Sequence, residues 1–178
     1  MAQAPQNVPA TGLSNYVGGW PATALVIGNN SVPFGGTYNV PSYWFVAVDL
    51  TDLSIYQNIV SQDPNNVPPA IQALLGNTQY FLFFIANYQS TPNIVQGSLY
   101  TFLQAVGAGG ELARGEQMIE QLGTGMIRYF SYVLAATCDD TDMPGFEIFN
   151  DADYAVLTMQ FMPVTVNGQT IYAPVQTS

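Results

Sequence analysis

Apolar residues in this chain are gathered into short dense runs, and those runs predict the elements. Ala24 to Ile27 reads as a short strand, closed by the Gly28-Asn29-Asn30 turn. A loop from Ser31 to Pro41 follows, carrying Gly35-Gly36. Tyr43 to Val48 (YWFVAV) is a continuous apolar run expected to form a buried strand ending at Asp49. Ala70, Ile71, Leu74 and Leu75 have helical spacing behind Pro68-Pro69, with Asn66 placed to cap and Gly76 to stop the helix. Gln79 to Ala86 predicts a strand buried on both faces. Ser98 stands before Leu99, Phe102, Leu103 and Val106, an i, i+3, i+4, i+7 pattern broken by the glycines of residues 107–110. Glu111 to Leu122 predicts a second helix, with Leu112, Met118, Ile119 and Leu122 apolar, an acid in its first turn and Gly123 at its end. Ile127 to Thr137 and Phe146 to Phe149 read as strands, and Tyr154 to Met162 alternates like a half-buried one. Asn167-Gly168 between Val164–Val166 and Gln169–Ala173 is a strong hairpin signal.

This order predicts a mixed α/β (α+β) domain. A mixed β-sheet would carry two to three short helices packed on it, right-handed strand-helix-strand crossovers and a C-terminal β-hairpin. The first residues are rich in Pro, Asn and Gln, so residues 1–17 are expected to be an extended arm and residues 18–178 a single compact domain. The N-terminus has neither a basic region nor an apolar core, and the most apolar run, Gln79 to Tyr88, is far shorter than a membrane span of about 20 residues.

Charge narrows the function classes. Only 8% of residues are charged, with twelve carboxylates against two cations, Arg114 and Arg128, and neither lysine nor histidine. A net charge of −10 repels phosphate backbones and anionic lipid, so neither nucleic acid nor membrane insertion is expected. The absence of His and Lys removes imidazole bases, Ser-His-Asp triads, His-ligated zinc, Schiff bases and the P-loop. Cys138 is single and is followed by Asp139-Asp140, whose charge would raise a thiol pKa, so it is expected to be buried and inert. Arg114 is placed to pair with Glu111 on a helix, and Arg128 to satisfy a buried carboxylate.

Two groups of residues could still carry a site. Asp49 and Asp52 follow one strand, and Asp139, Asp140 and Asp142 follow another. If the two strands lay parallel and adjacent, both clusters would meet at one sheet edge, where oxygen ligands suit a divalent cation such as Ca²⁺. The same carboxylates could serve glycoside hydrolysis, and the alternative is a pair of solvated turns. Tyr16, Trp20, Tyr38, Tyr43 and Trp44 are interleaved with Asn, Gly and Pro, a pattern that suits sugar faces or protein interfaces; the alternative is that Tyr43 and Trp44 are core.

The block from Gly36 to about Phe161 resembles the interleukin-like EMT-inducer (GG) domain family. The likeness rests on YWFVAVDLTD (Tyr43 to Asp52), on Pro69 to Gly76, on Gln79 to Ala86, and on Leu122-Gly123-Thr124 before the strand Arg128 to Ala136. The resemblance implies a compact non-enzymatic module of sheets lined by short helices, and some members bind carbohydrate. This chain lacks the disulfides of animal members and their usual charged residues, and it has a Gly-rich interruption after Val106.

The sequence therefore favours a non-enzymatic structural protein. Such a protein would be a self-assembling subunit of a virion, filament, surface layer or tail-like device, at a particle surface or outside the cell, with copies of itself or other subunits as partners. A carbohydrate-binding module is the alternative. A carboxylate- or metal-dependent hydrolase is the third reading, and no other cofactor is expected.

Overall fold

The computed structural model describes residues 5–16, 21–122, 127–139 and 144–177. Among these residues it is mainly β, with two antiparallel sheets and three α-helices. The first sheet contains β1 (Val8–Ser14), β2 (Ala24–Ile27), β3 (Asn30–Val32), β10 (Ala155–Val166) and β11 (Gln169–Gln176), in the order β11-β10-β1-β2-β3. The second has β4 (Ser42–Asp49), β5 (Ile55–Ser61), β6 (Tyr80–Asn87), β7 (Gln89–Ser90), β8 (Tyr129–Thr137) and β9 (Phe146–Asn150). Its order is β5-β4-β6-β8, with β7 and β9 both pairing β8. The helices are α1 (Pro69–Gln72), α2 (Gly97–Ala105) and α3 (Gly110–Leu122).

These elements stack in three layers, and the middle layer explains the continuous apolar runs. Trp44, Val46, Val48, Phe81, Phe83, Ile85, Val133 and Ala135 face the first sheet, meeting Leu25, Ile27, Leu157, Met159 and Phe161. The intervening residues Tyr43, Phe45, Ala47, Leu82, Phe84, Tyr132 and Leu134 face the helices, meeting Ile71, Leu99, Phe102, Leu103 and Leu112. A strand covered on both sides has no polar face to show, so it loses the alternation of a half-buried strand. β10, covered on one side only, keeps it: Ala155, Leu157, Met159 and Phe161 are buried and the residues between them are not.

Several expectations are corrected here. The pairs among the described strands are antiparallel, so the sheets are not mixed, and β6 and β8 are neighbours joined through α2 and α3 without a crossover. The segment expected as an arm is extended, but Val8–Ser14 lies inside the first sheet between β2 and β10. Small residues allow this. A Cβ on Gly12 would sit 3.1 Å from Val133 Cγ1, so glycine lets β1 lie close against β8. Ser14 Oγ then donates to the Ala86 carbonyl at 2.5 Å and accepts Tyr132 N–H at 3.0 Å, tying β1 to β6 and β8 of the second sheet. The expected loop from Ser31 to Pro41 begins with β3, which pairs β2. β5 was not anticipated at all. Asn66 does not cap α1, whose N-cap is Pro68, but bonds Asp63, and the N-cap of α2 is Gln96, not Ser98. Gly123 lies outside the described residues.

Candidate functional site: an uncharged sheet face

The residues singled out in the sequence do not form one site. Tyr43 and Trp44 are core residues, at 1% and 0% exposure, because both faces of β4 are covered. Tyr43 stacks on Phe84 and donates its hydroxyl to the Asn93 carbonyl, and burial pushes its pKa up. Trp44 Nε1 donates to Asn58 Oδ1 at 2.7 Å, and Asn58 Nδ2 donates to the Pro33 carbonyl at 2.9 Å. Tyr38 is exposed and packs on Phe34, which in turn meets Trp44 edge-on. Tyr16 lies elsewhere, beside Tyr129, with its hydroxyl donating to the Ala152 carbonyl at 3.1 Å. Trp20 lies outside the described residues.

The carboxylates come only part of the way together. β4 and β8 both run antiparallel to β6, so Asp49 and Asp139 follow strands that leave the same end of the sheet, but β6 stands between them. Asp140 and Asp142 lie outside the described residues, and no cluster of three metal-ligating side chains occurs among those described. Asp49 and Asp52 are turn builders. Asp49 Oδ1 accepts the Thr51 hydroxyl at 2.6 Å and N–H at 2.8 Å, its Oδ2 accepts Gln79 Nε2 at 2.7 Å, and Asp52 Oδ1 accepts Ser54 N–H at 2.8 Å. Partial burial pushes the Asp49 carboxyl up, and these hydrogen bonds outweigh it, leaving its pKa below the ordinary value. Arg114 pairs with Glu111 at 3.6 Å as expected, whereas Arg128 is exposed at the entry to β8 and pairs with no buried carboxylate among the described residues. Cys138 is fully buried on the helix side of the second sheet, and burial pushes its thiol up to about 12.

The arrangement with the clearest chemical character was missed residue by residue, although its signal is plain in the sequence. Residues 1–48 and 154–178 contain no Asp, Glu, Lys or Arg. The antiparallel pairing of β1 with β10 brings these two uncharged ends together, so the whole first sheet carries no ionic side chain. Its inner face packs on the second sheet. Its outer face presents Leu13, Val26, Val156, Met162, Val164 and Val175, with Thr11, Thr158 and Gln160 between them. Val166, at 47%, Met162, Val164 and Val175 are among the most exposed large apolar residues of the molecule. Beyond Phe161, β10 no longer pairs with β1, and the β10–β11 hairpin runs on to a turn in which Asn167 and Gly168 both have positive φ, at 51° and 80°.

The outer edges of this sheet are blunted, and the side of β10 that β1 leaves free beyond Phe161 carries Pro163, which has no N–H. Tyr172 of β11 directs its N–H away from β10 to the Leu50 carbonyl at 2.8 Å, and Pro174, two residues on along the same edge, has no N–H to offer. At the other edge β3 is three residues long and runs into Pro33. At one corner, between the β2–β3 turn, the β4–β5 turn and Tyr172, a cleft of about 660 Å³ is lined by Ile27, Asn29, Asn30, Asp52, Leu53 and Tyr172 among others. Leu53 is held there at φ 62°, a conformation rare outside glycine and asparagine. No helix among the described residues is long and apolar enough to cross a membrane. No family model matches the chain, and no curated protein matches it in sequence.

Proposed function

We propose that this protein is a structural subunit that assembles with copies of itself through the outer face of the β11-β10-β1-β2-β3 sheet. The observation that carries this reading is the segregation of charge. The chain has a net charge of −10, yet this sheet has no charged residue, so two copies can meet here without bringing carboxylates together. An apolar face depleted of charge is the composition of an interface core, and a soluble monomer leaves few such patches open. Edges blunted by Pro33, Pro163, Pro174 and the Tyr172–Leu50 hydrogen bond favour packing face to face over lengthening of the sheet. The role is non-enzymatic, and a virion, filament, surface layer or tail-like particle is the setting it fits.

Size-exclusion chromatography with multi-angle light scattering tests this on the natural chain and on Thr158→Glu and Val164→Glu, both at exposed outer-face positions. The natural chain is expected to be oligomeric at neutral pH, and each variant to fall to monomer. Gln72→Glu, on exposed α1, should change nothing. A natural chain that is monomeric at every concentration, or variants that keep its mass, would sink the reading. Deleting residues 1–17 is no substitute, because it removes β1 from the middle of the sheet.

A carbohydrate-binding module is the second reading, and the corner cleft favours it. Its volume lies within the range of about 300–1,000 Å³ usual for small-molecule sites, and Tyr172, Asn29, Asn30 and Asp52 offer an aromatic face beside amide and carboxylate groups. A glycan array read with the natural chain and with Asp52→Ala decides it: retention of a glycan that the variant loses supports this reading.

A further inference from the structure

β5 differs from the other outer strands of this molecule. β11 is closed by Pro174 and by the Tyr172–Leu50 hydrogen bond, β3 is three residues long, and β7 has two residues before Thr91-Pro92. β9 lies under α3, with Phe149 packed so tightly on Gly115 that a Cβ there would sit 2.8 Å from the ring. β5 has seven residues, IYQNIVS, with neither a proline nor a charge, and among the described residues it pairs with β4 alone. Tyr56 is the extra residue of a bulge in its register with β4, and Gln57–Ser61 then pair regularly. Every second N–H and C=O of that stretch points away from β4, unused by any described segment. Exposed edges of this length are normally blunted by a lysine, a proline or a covering loop.

The surroundings specify what fits. Asp49 and Asp52 stand before the strand and Asp63 just after it, and neither arginine of the chain lies in this stretch. Tyr56, half exposed and stacked on Tyr80 with ring centroids 4.3 Å apart, adds an aromatic surface at the same end. Antiparallel pairing of β5 with its own copy about Asn58 would set Asp52 of one chain beside Asp63 of the other at both ends. We infer that β5 accepts an extended segment of a different protein as an added strand, uncharged in its middle and basic at both ends. Main-chain hydrogen bonds along Gln57–Ser61 hold the segment, and the flanking aspartates select its ends.

This surface is separate from the uncharged sheet face, so the test uses Thr158→Glu, in which assembly through that face is blocked. The probe is a fluorescent peptide of alternating Thr and Val flanked by arginines, titrated by anisotropy and by amide NMR. It should bind, with shifts concentrated at residues 57–61. A Glu-flanked peptide, and the Arg-flanked peptide N-methylated at alternate backbone nitrogens, should each bind at least about tenfold more weakly. Failure of the Arg-flanked peptide to bind overturns the inference. Equal binding of the N-methylated peptide overturns it as well, since charge alone would then account for the affinity. Concentration-dependent protection of the β5 amides without peptide would do the same, by showing that a second copy takes the edge.

Discussion

Tyr132 donates its hydroxyl to Glu147 Oε2 at 2.8 Å, and through that carboxylate β8 is bonded to the start of α3. Glu147 of β9 accepts N–H from Gly109 at 2.9 Å and Glu111 at 3.0 Å through Oε1, and from Leu112 at 3.3 Å through Oε2. A carboxylate thus meets the free N–H groups of a helix start from 36 residues away in sequence. Replacing Glu147 by Ala should cost about 2–3 kcal/mol, since it removes charged hydrogen bonds and strands the Tyr132 hydroxyl. Tyr132→Phe should cost about 1 kcal/mol and leave the helix cap intact. Urea unfolding gives the magnitudes. Hydrogen exchange at the first amides of α3 separates the two, because only Glu147→Ala should speed it.

The Trp44–Asn58 pair makes a second prediction at the seam between the two sheets. Trp44 is fully buried and its indole N–H has Asn58 Oδ1 as its acceptor, while Asn58 also holds the Pro33 carbonyl at the start of the loop to β4. Asn58→Ala should destabilise by about 1–3 kcal/mol, the cost of leaving a buried donor unpaired. Asn58→Gln should not rescue it, because the longer amide must leave its rotamer to reach either partner. Equilibrium unfolding followed by tryptophan fluorescence measures both; a loss below about 0.5 kcal/mol for the alanine would mean that water replaces the amide.

The sequence was informative where environment alone decides structure. Runs such as Tyr43–Val48 and Phe81–Ala86 are short, dense and rich in aromatic and β-branched residues, as strands covered on both faces are, and Asn167-Gly168 turned where its backbone preferences require. β1 was obscure for a physical reason. Its buried positions are Ala10, Gly12 and Ser14, small residues that fit close to Val133 and carry little hydrophobic signal. β5 was obscure because Gln57-Asn58 divides its apolar residues and none of the seven is buried, so it shows neither the dense run of β4 nor the alternation of β10. The same two-sided burial that made β4 easy to find made Tyr43 and Trp44 misleading as surface candidates, since aromatic content does not distinguish core from interface. The uncharged ends of the chain were visible as a composition. That they form one sheet depends on β1 pairing with β10 from the far end of the sequence, which no local pattern encodes.

Buried Cys138, Tyr43 and Tyr132 predict a loss of stability at alkaline pH. Burial raises all three, the thiol to about 12 from 9.0, so each prefers its protonated form in the folded state. Their contribution is complete below the unfolded values, near 9 for the thiol and 10 for the phenols, and is lost as pH rises from there towards the folded values. Urea midpoints should therefore hold steady from about pH 7 to pH 8.5 and fall above about pH 9. Cys138→Ala should flatten the first part of that fall. The same burial should leave the native thiol unlabelled by a disulfide reagent at pH 8, with full labelling in denaturant. Rapid native labelling would show that the helix layer opens over Cys138.

At the acid end, fold and assembly should part company. The Asp49 carboxyl lies below its ordinary value, so its contribution is complete above the unfolded carboxylate range and is lost only as pH falls through the lowered folded value. Asp63, held down by hydrogen bonds from Asn66 and Asn65, acts in the same sense. The fold should therefore stay intact as pH drops from about 7 to about 4, while net repulsion among the twelve carboxylates falls towards the pI of about 4.1. Light scattering should rise across that interval before circular dichroism changes, and Asp49→Asn should advance the loss of circular dichroism without moving the rise in scattering. Scattering that stays flat to pH 4 would mean that charge does not oppose contact between copies, and the segregation of charge away from the first sheet would lose its significance for assembly. Scattering that rises in the natural chain but not in Val164→Glu would place the contact on the outer face of that sheet.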